Sequence, residues 1–338
     1  MSSTSPVRFA LIGTGRIGQV HAESIHRSED AVLAWACDTV VEGAERTAAR
    51  YGGRATADPL EAVRAGDVDA VVIASPTPTH VDLLEAALDA GVAALCEKPI
   101  DLDITRVDAV RRRAAQAGAP IVLGFNRRFD PHFAELRRRV QAGEIGPLEH
   151  LAITSRDPEP PPAAYVPLSG GIFRDMAIHD FDTARSFVPD VVAVTAVGLR
   201  QFSSEIADAG DYDGAVTTLR GAGGESIVIT NSRHSAYGYD QRLEAFGPLG
   251  LLQVGNVTPT AVRSSTGTLS DAGEPYRRFF LERYEEAYRL ELAAFIATVR
   301  GEDAGSPGFE DGRAALLLAD AADLSAREGR TVEVDLSA

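Results

Sequence analysis

Between residues 7 and 125 the chain alternates short apolar runs with longer amphipathic segments. The apolar runs are VRFALIG, AVLAWACD, DAVVIAS, VAALCEK and PIVLGF. Between two of them, HVDLLEAALDAG places apolar residues at helical spacing and ends in glycine, which is typical of a helix C-terminus. Strands that alternate with helices in this way form βαβ units, and their right-handed crossovers build a doubly wound parallel sheet. The pattern therefore predicts an α/β domain with such a sheet over residues 1–125.

Residues 126–338 show a different pattern, in which strand-like runs follow one another. These runs are LEHLAITSR, VVAVTAVGLRQF, DGAVTTL, ESIVITNSR, QRLEAFG and GLLQVG. Glycine-containing turns separate several of them, as expected for strands that pair antiparallel. Two long helical segments close the chain, and we expect them to pack on the first domain. The pattern predicts a second domain, of α+β type, over residues 126–338 with a large, mostly antiparallel open sheet.

The composition is that of an ordinary globular protein with an acidic balance. The 338 residues are 45% hydrophobic and 24% charged, and the formal net charge is −16. This charge argues against nucleic acid as a partner, because phosphate contacts draw their affinity from clustered Lys and Arg. No secretory signal is visible, and no apolar run approaches the ~20 residues of a membrane span. We therefore expect a cytoplasmic protein that has no membrane partner and binds a small molecule.

A glycine motif follows the first predicted strand and precedes the first helix. In ALIGTGRIGQVHA, the three glycines of GxGxxG would allow a tight turn, a close approach to a pyrophosphate, and close packing of the helix on the sheet. The helix N-terminus would attract the phosphates. The cofactor contacts expected in this loop are Gly13, Gly15, Arg16, Ile17 and Gly18.

An acidic residue that follows this motif bears on the choice of cofactor. Asp38 lies twenty residues after Gly18, at the end of the second predicted strand. An acid at that place can bind the ribose 2′-hydroxyl and repel a 2′-phosphate. The sequence therefore predicts NAD rather than NADP, the alternative being three turn glycines and a surface acid.

Another loop, ASPTPTH, ends a strand at the same carboxyl edge of the predicted sheet. Ligands of doubly wound folds bind outside that edge. Ser75, Thr77 and His80 are the expected cofactor contacts here. The alternative makes Thr79 a helix cap and His80 a surface residue.

The next strand ends in CEKPI at this edge, which would bring Glu97 and Lys98 near the nicotinamide. A lysine in that place can stabilise the alkoxide that forms when a hydroxyl loses its proton. The alternative is a solvated surface cation, the usual state of a lysine.

The segment SGGIFRDMAIHDFDTARSF carries an aspartate and a histidine in an apolar, helix-forming run. Asp175 and His179 are four residues apart, so on one helix they would lie one above the other on the same face. Such a pair can be a buried hydrogen bond, half of a metal site that includes Asp182, or a general base with its orienting acid. No second histidine motif supplies the further ligands that zinc needs, and we expect no metal.

Taken in order, GTGRIG, EKP, GFNRRFD and GGIFRDMAIHD resemble the motifs of the Gfo/Idh/MocA oxidoreductases. The resemblance spans nearly the whole chain. It implies a Rossmann domain followed by an α/β domain whose open sheet makes oligomer contacts, commonly in a tetramer. It also implies NAD(P)-dependent oxidation of a sugar or cyclitol. Segments such as YGYDQRLEAFG resemble the members that oxidise myo-inositol to a 2-keto inosose.

The resemblance also assigns roles to residues. It implies that Lys98, Asp175 and His179 are catalytic, with His179 taking the hydroxyl proton, Asp175 fixing the tautomer of that histidine, and Lys98 stabilising the alkoxide. The residues expected to contact substrate are Arg127, Asp157, Asp175, His179 and Tyr239. Two alternatives stay open, namely a dehydrogenase of another cyclitol or sugar, and a cofactor-binding regulator without activity.

Overall fold

Helices and strands alternate in the first part of the chain, and strands dominate the middle. A computed structural model describes residues 5–337. The strands are β1 Val7–Ile12, β2 Ala31–Cys37, β3 Arg54–Thr56, β4 Ala70–Ile73, β5 Ala93–Cys96, β6 Ile121–Leu123, β7 His150–Arg156, β8 Val191–Leu199, β9 Gly214–Gly221, β10 Ser226–Ser232, β11 Asp240–Gly247, β12 Gly250–Val254, β13 Arg263–Ser264, β14 Ala272–Gly273 and β15 Val332–Glu333. The helices are α1 Arg16–Arg27, α2 Val41–Tyr51, α3 Pro59–Val63, α4 His80–Ala90, α5 Ile104–Gln116, α6 Pro131–Gln141, α7 Ile172–Asp175, α8 Ile178–Phe187, α9 Ser204–Asp208, α10 Phe280–Arg283, α11 Glu285–Val299 and α12 Phe309–Glu328. Short 3-10 turns span Thr77–Thr79, Asn126–Phe129 and Val166–Leu168.

The first unit of the protein is built on a six-stranded parallel sheet. Its strand order is β3-β2-β1-β4-β5-β6, which is the order of a dinucleotide-binding Rossmann fold. β4 and β5 are buried along their whole length, since helices cover both faces of such a sheet. This explains why their sequences are continuous apolar runs rather than alternating ones. The predicted doubly wound parallel sheet is confirmed.

One helix from late in the chain also belongs to this unit. The unit comprises the described residues up to Phe129 together with Glu286–Arg313. α11 joins its apolar core, where the ring centroids of Phe9 and Phe295 are 6.0 Å apart. This differs from the predicted boundary, which placed all of residues 126–338 in the second domain. An apolar stripe shows that a helix is buried on one side, but not which sheet it covers.

The second unit is built on a seven-stranded sheet with the order β12-β11-β7-β10-β9-β8-β15. It comprises Asp130–Glu285 and the described residues from Ala314 onward. Its neighbouring strands pair antiparallel except for β7 and β10, which run parallel. The predicted mostly antiparallel sheet is therefore confirmed.

The two faces of this second sheet differ in their surroundings. Along β9 and β10 buried and exposed residues alternate, as expected for a sheet with one covered face. The covered face packs against apolar side chains of α8 and α12, among them Phe181 and Leu318. The other face exposes five large apolar side chains between 39% and 56%, namely Val197, Val216, Val228, Phe246 and Leu251.

The segment that carries Asp175 and His179 is not one continuous helix. α7 ends at Asp175 and α8 begins at Ile178, with two turn residues between them. At this junction the amide of Ala177 donates to the carbonyl of Ile172, five residues back, at 2.9 Å. A five-residue step is wider than the four-residue step of an α-helix and changes the direction of the following residues. The prediction of a single continuous helix through Asp175 and His179 is therefore wrong.

Among the helices of residues 5–337, none combines the length and the apolar character needed to cross a membrane.

Candidate active site

The glycine loop between β1 and α1 has the geometry of a phosphate-binding turn. Gly13 has φ +96°, and a Cβ there would lie 2.6 Å from the backbone of Ala74. A Cβ on Gly18 would lie 2.0 Å from the carbonyl oxygen of Gly13, so the helix can approach the loop this closely only without a side chain. Gly15 is different, because a Cβ there would meet nothing within 4 Å.

The open space at Gly15 lies at the start of α1. Gly15 is the N-cap of this helix and gives it no side-chain cap, and the first turn of α1 contains no acidic residue. The first amides of a helix and its positive dipole end attract anions. The loop therefore fits the pyrophosphate of a dinucleotide. Beside the glycines it presents Arg16, which is exposed, and Ile17, which is half-buried.

Asp38 lies at the end of β2, next to this loop. Its Oδ2 accepts hydrogen bonds from the backbone amide and the hydroxyl of Thr14, at 2.8 and 2.7 Å. Its Oδ1 accepts one from the amide of Val40 at 2.9 Å. Partial burial acts to raise the pKa of Asp38, but these hydrogen bonds outweigh it, and the pKa lies below its ordinary value. The carboxylate is therefore a fixed negative charge, as the prediction of NAD over NADP requires.

The loop after β4 holds Ser75 and Thr77, which are half-buried at the carboxyl edge of the sheet. His80 is only 1% exposed, so the alternative of a surface histidine is wrong. Its Nε2 lies 2.8 Å from the carbonyl oxygen of Ser75, and its Nδ1 lies 2.8 Å from that of Pro99. The ring thus links the loop after β4 to the loop after β5. Thr79, the other part of that alternative, makes no side-chain cap for α4.

Glu97 directly follows β5, and its side chain lies against α1. His21 Nε2 is 2.8 Å from Glu97 Oε1, and His21 is 1% exposed. Glu291 on α11 is fully buried, and neither of its carboxyl oxygens has a hydrogen-bond partner within residues 5–337. Burial raises the pKa of Glu291 well above its ordinary value, and the charge of Glu97 adds to the rise. The shift therefore favours the protonated, uncharged form of Glu291.

Lys98 follows Glu97 in the same loop and is half-buried. It is the single lysine among the 33 Lys and Arg residues of the sequence. The sequence prediction rested on its place after a strand, and this second signal was missed. Arg127, predicted to contact substrate, lies in the 3-10 turn after β6 and is 5% exposed.

Two of the predicted substrate residues of the second unit lie at neighbouring strand ends, which form one edge of its sheet. Asp157 directly follows β7, and Tyr239 directly precedes β11. These strands are antiparallel neighbours in which Arg156 pairs with Asp240, so the two predicted residues lie at adjoining strand ends. β10 runs parallel to β7 and ends beside it, where the amide of Asp157 donates to the carbonyl of Ser232 at 2.9 Å.

Asp175 is connected to this edge through an arginine that the sequence analysis did not single out. Arg233 follows β10 and donates through Nη1 to Asp175 Oδ2 at 3.1 Å. Through Nη2 it donates to Asp211 Oδ2, also at 3.1 Å. The Tyr165 hydroxyl donates to the other oxygen of Asp175 at 3.1 Å. The available signal was an arginine directly after a strand, in NSRH, and it does not say which carboxylate the arginine meets.

The structure also bears on the metal alternative. Within residues 5–337 no group of three or more His, Cys, Asp or Glu side chains is arranged to hold a metal ion. Asp182, which the metal alternative required, is fully buried, as is Asp180. Asp180 Oδ2 accepts a hydrogen bond from Asn231 Nδ2 at 2.7 Å. His179 itself lies in the first turn of α8 and is half-buried.

Comparison with known proteins identifies both units. Residues 7–125 match the profile described as "Oxidoreductase family, NAD-binding Rossmann fold", and residues 133–253 match the "GFO/IDH/MocA C-terminal domain". The chain is 46% identical to the inositol 2-dehydrogenase of Rhizobium meliloti (strain 1021) over 330 residues, which are 97% of this chain and 99% of that protein.

Two solved structures extend this comparison. A myo-inositol dehydrogenase from Corynebacterium glutamicum ATCC 13032 is 51% identical with a TM-score of 0.94, covering 98% of this chain and 99% of that one. A scyllo-inositol dehydrogenase from Lactobacillus casei, determined with bound NAD(H) and scyllo-inositol, is 28% identical with a TM-score of 0.89, covering 99% of this chain and 100% of that one. The prediction of NAD as cofactor is confirmed.

Proposed function

Because the chain belongs to the Gfo/Idh/MocA family and is an NAD-dependent oxidoreductase, we propose that it oxidises myo-inositol to 2-keto-myo-inositol. The observation that carries this proposal is the extent of the similarity. It reaches 46% identity to an inositol 2-dehydrogenase and covers 97% of the chain, so it includes both the cofactor unit and the unit that carries Asp175 and His179.

The proposed reaction removes two hydrogens from one ring carbon. His179 takes the proton of the hydroxyl as general base, and the C–H bond breaks with its electron pair to leave a carbonyl. The bound cofactor supplies the acceptor for that hydride at its nicotinamide. An imidazole suits this task because its unperturbed pKa of about 6.5 lies near the working pH. Asp175 orients the imidazole and stabilises its protonated form.

Lys98 stabilises the negative charge that develops on the hydroxyl oxygen. The amino-acid usage of the chain supports a specific role for it, since every other cation of the 33 Lys and Arg residues is arginine. Arginine is a planar fork that stays protonated, whereas lysine is a compact ammonium point charge. A single lysine therefore marks a position at which the chain uses the ammonium group.

The choice of ring stereochemistry is the finer part of the proposal. The second candidate substrate is scyllo-inositol, which a relative 28% identical to this chain binds together with NAD(H). We assign the substrate contacts to Arg127, Asp157 and Tyr239. A cofactor-binding regulator without activity stays the alternative from another class, and the presence of both Lys98 and His179 argues against it.

We also propose that the protein assembles through the open face of its seven-stranded sheet, in a tetramer. Val197 and Val216 are directly paired across β8 and β9, and both are exposed. Val228 on β10, and the directly paired Phe246 and Leu251 on β11 and β12, are exposed on the same face. Exposed apolar surface is typical of protein contacts.

The test is NADH formation by the purified protein with myo-, scyllo- and chiro-inositol, glucose and galactose, each with NAD and with NADP. We expect the highest kcat/KM with myo-inositol and NAD. His179→Ala should lower kcat about 100-fold or more because general-base catalysis contributes about that much. His132→Ala, at an exposed histidine of α6, is the matched control and should leave kcat unchanged.

Two variants of Lys98 test whether the reaction needs its ammonium group or only a positive charge at that position. Lys98→Met should abolish measurable turnover, and Lys98→Arg should restore little of it although the charge is kept. Preference for another polyol would correct the substrate but keep the mechanism. Absence of activity on every polyol in a protein that still binds NAD would contradict the proposed function and favour the regulator.

A further inference from the structure

Arg233 joins two carboxylates deep in the second unit. It is 1% exposed and is one of the largest fully buried side chains of the protein. Its two terminal nitrogens each lie 3.1 Å from one carboxylate oxygen, that of Asp175 on one side and that of Asp211 on the other. A buried cation needs such partners, because leaving a charge unpaired in the interior is strongly destabilising.

Asp211 anchors this arrangement to the start of α7, the short helix that ends in Asp175. Its Oδ1 accepts a hydrogen bond from the amide of Ile172, the first residue of that helix, at 2.9 Å. Gly171 precedes Ile172 and has φ +85°, and a Cβ on Gly171 would lie 3.0 Å from Asp211 Oδ1. Both ends of the helical turn are therefore tied to Arg233, the start through Asp211 and the end through Asp175.

The backbone of Arg233 is held as firmly as its side chain. Its amide donates to the carbonyl of Asp213 at 2.8 Å, just before β9, and Arg233 itself directly follows β10. The position of the guanidinium is thus set by two neighbouring strands of the sheet. α7 has only four residues, so it is too short to fix its own orientation.

We propose that Arg233 is a positioning residue of the reaction, which holds the Asp175 carboxyl in the orientation that His179 requires. The proposal rests on the proposed function, since it assigns Asp175 the role of orienting acid. Among the groups that donate to Asp175 from other segments are Arg233, from the end of β10, and Tyr165, from the loop before α7. Its neighbour Arg174 is directed elsewhere and pairs with Asp320 and Asp323.

An arginine is required here because one group must reach two carboxylates at once. The guanidinium presents several N–H donors in a rigid plane, whereas the ammonium of lysine is a point charge on a flexible stem. The fork therefore fixes the direction of the Asp175 carboxyl. The positive charge of Arg233 also partly offsets the negative charge of Asp175. Asp175 therefore stabilises a proton on His179 less strongly than it would without Arg233.

Four variants test the proposal, each compared with the unmodified protein in kcat, KM for the polyol, the pH profile of kcat/KM, and thermal unfolding. They are Arg233→Met, Arg233→Lys, the double variant Arg233→Met with Asp211→Asn, and Arg220→Met. The double variant removes one charge of each sign, so no unpaired buried Asp211 is left. Arg220→Met is the matched control, at an arginine 59% exposed and paired with exposed Glu333 on β15.

We expect Arg233→Met to lower kcat about tenfold or more, with a smaller change in KM. The acidic limb of its kcat/KM profile should move to higher pH by about one unit, because without Arg233 the Asp175 carboxylate stabilises a proton on His179 more strongly. Arg233→Lys should keep the limb in place and recover only part of kcat. The double variant should regain thermal stability over Arg233→Met but keep the low kcat and the shifted limb. Arg220→Met should match the unmodified protein throughout.

The outcomes separate the two proposals. If the double variant regains both kcat and the original pH profile, Arg233 only neutralises Asp211 and the positioning role is wrong. The role is equally excluded if Arg233→Met keeps kcat and the profile while the unmodified enzyme oxidises the polyol. If the unmodified protein oxidises no polyol at all, the proposed function fails and this role fails with it.

Discussion

Replacing Gly15 by alanine should weaken NAD binding while leaving the fold almost intact. Gly15 has φ −68°, which alanine adopts readily, and a Cβ there would meet nothing within 4 Å. The expected cost in stability is that of a poorer N-cap, about 0.5–1 kcal/mol. For a unit of this size such a cost lowers Tm by only about 1–4 °C.

The effect on the cofactor should be larger than the effect on the fold. The space at Gly15 adjoins the first amides of α1, where the backbone must come close to the pyrophosphate. A methyl group there pushes the phosphates away from these amides. We expect the dissociation constant for NAD to rise about tenfold or more, which corresponds to a loss of about 1.4 kcal/mol or more of binding free energy.

Gly13→Ala is the matched comparison, and we expect it to reduce the stability of the fold much more than Gly15→Ala does. Its Cβ would lie 2.6 Å from the backbone of Ala74, and its φ of +96° is one that alanine rarely adopts. Overpacking costs about 1–3 kcal/mol, and the backbone conformation adds about 1–2 kcal/mol. Gly13→Ala should therefore lower Tm by about 5 °C or more, in addition to weakening NAD binding.

Both variants can be measured with the protein alone and with NAD. Isothermal titration calorimetry gives the dissociation constant for NAD, and thermal unfolding without cofactor gives Tm. The reasoning is refuted if Gly15→Ala binds NAD as tightly as the unmodified protein. It is also refuted if Gly15→Ala loses as much Tm as Gly13→Ala, since the space at Gly15 would then be filled.

Three further predictions concern charge, pH and assembly. Asp38→Asn keeps an acceptor oxygen for Thr14 but removes the charge, so the ratio of kcat/KM for NAD over NADP should fall about tenfold or more, and an unchanged ratio would disprove the ribose assignment. Because the pKa of Glu291 is raised, the folded state keeps a proton on this carboxyl that the unfolded state releases above pH ~4.3. The contribution of Glu291 to the free energy of unfolding therefore falls as pH rises from the unfolded-state pKa to the folded-state pKa. Glu291→Gln should therefore raise Tm more at pH 8 than at pH 5, and an equal change at both would show that Glu291 is ionised in the folded protein. Val216→Asp should reduce the mass measured by light scattering without a large change in Tm, and an unchanged mass would exclude this sheet face as the assembly surface.

Several functional positions could be recognised in the sequence because their signals are local. The turn at Gly13 and the close approach at Gly18 each depend on the missing Cβ, and GxGxxG records this directly. Asp38 could be placed because a strand end and a spacing identify it. The parallel sheet could be predicted because strands buried on both faces read as continuous apolar runs.

Other positions depend on which distant segments meet, and the sequence pattern does not contain that information. The burial of His80 follows from contacts with two separate loops, and a histidine in a loop gives no sign of it. The break between Asp175 and His179 was missed because the segment has good helical periodicity and no proline or glycine between the two residues.

The sequence by itself determined the alternation of strands and helices in the first unit and the succession of strands in the second. It also determined the glycine loop that fits NAD, and the identity of the acid, the histidine and the lysine proposed for catalysis. Only the tertiary structure decided that α11 completes the core of the first unit and that Arg233 pairs with Asp175 and Asp211. The physical reason is the distance along the chain over which each interaction acts. Periodicity, turns and glycine requirements act over a few residues, whereas the Arg233 pairs join residues 58 and 22 positions apart and arise only once the strands of the second sheet are in register.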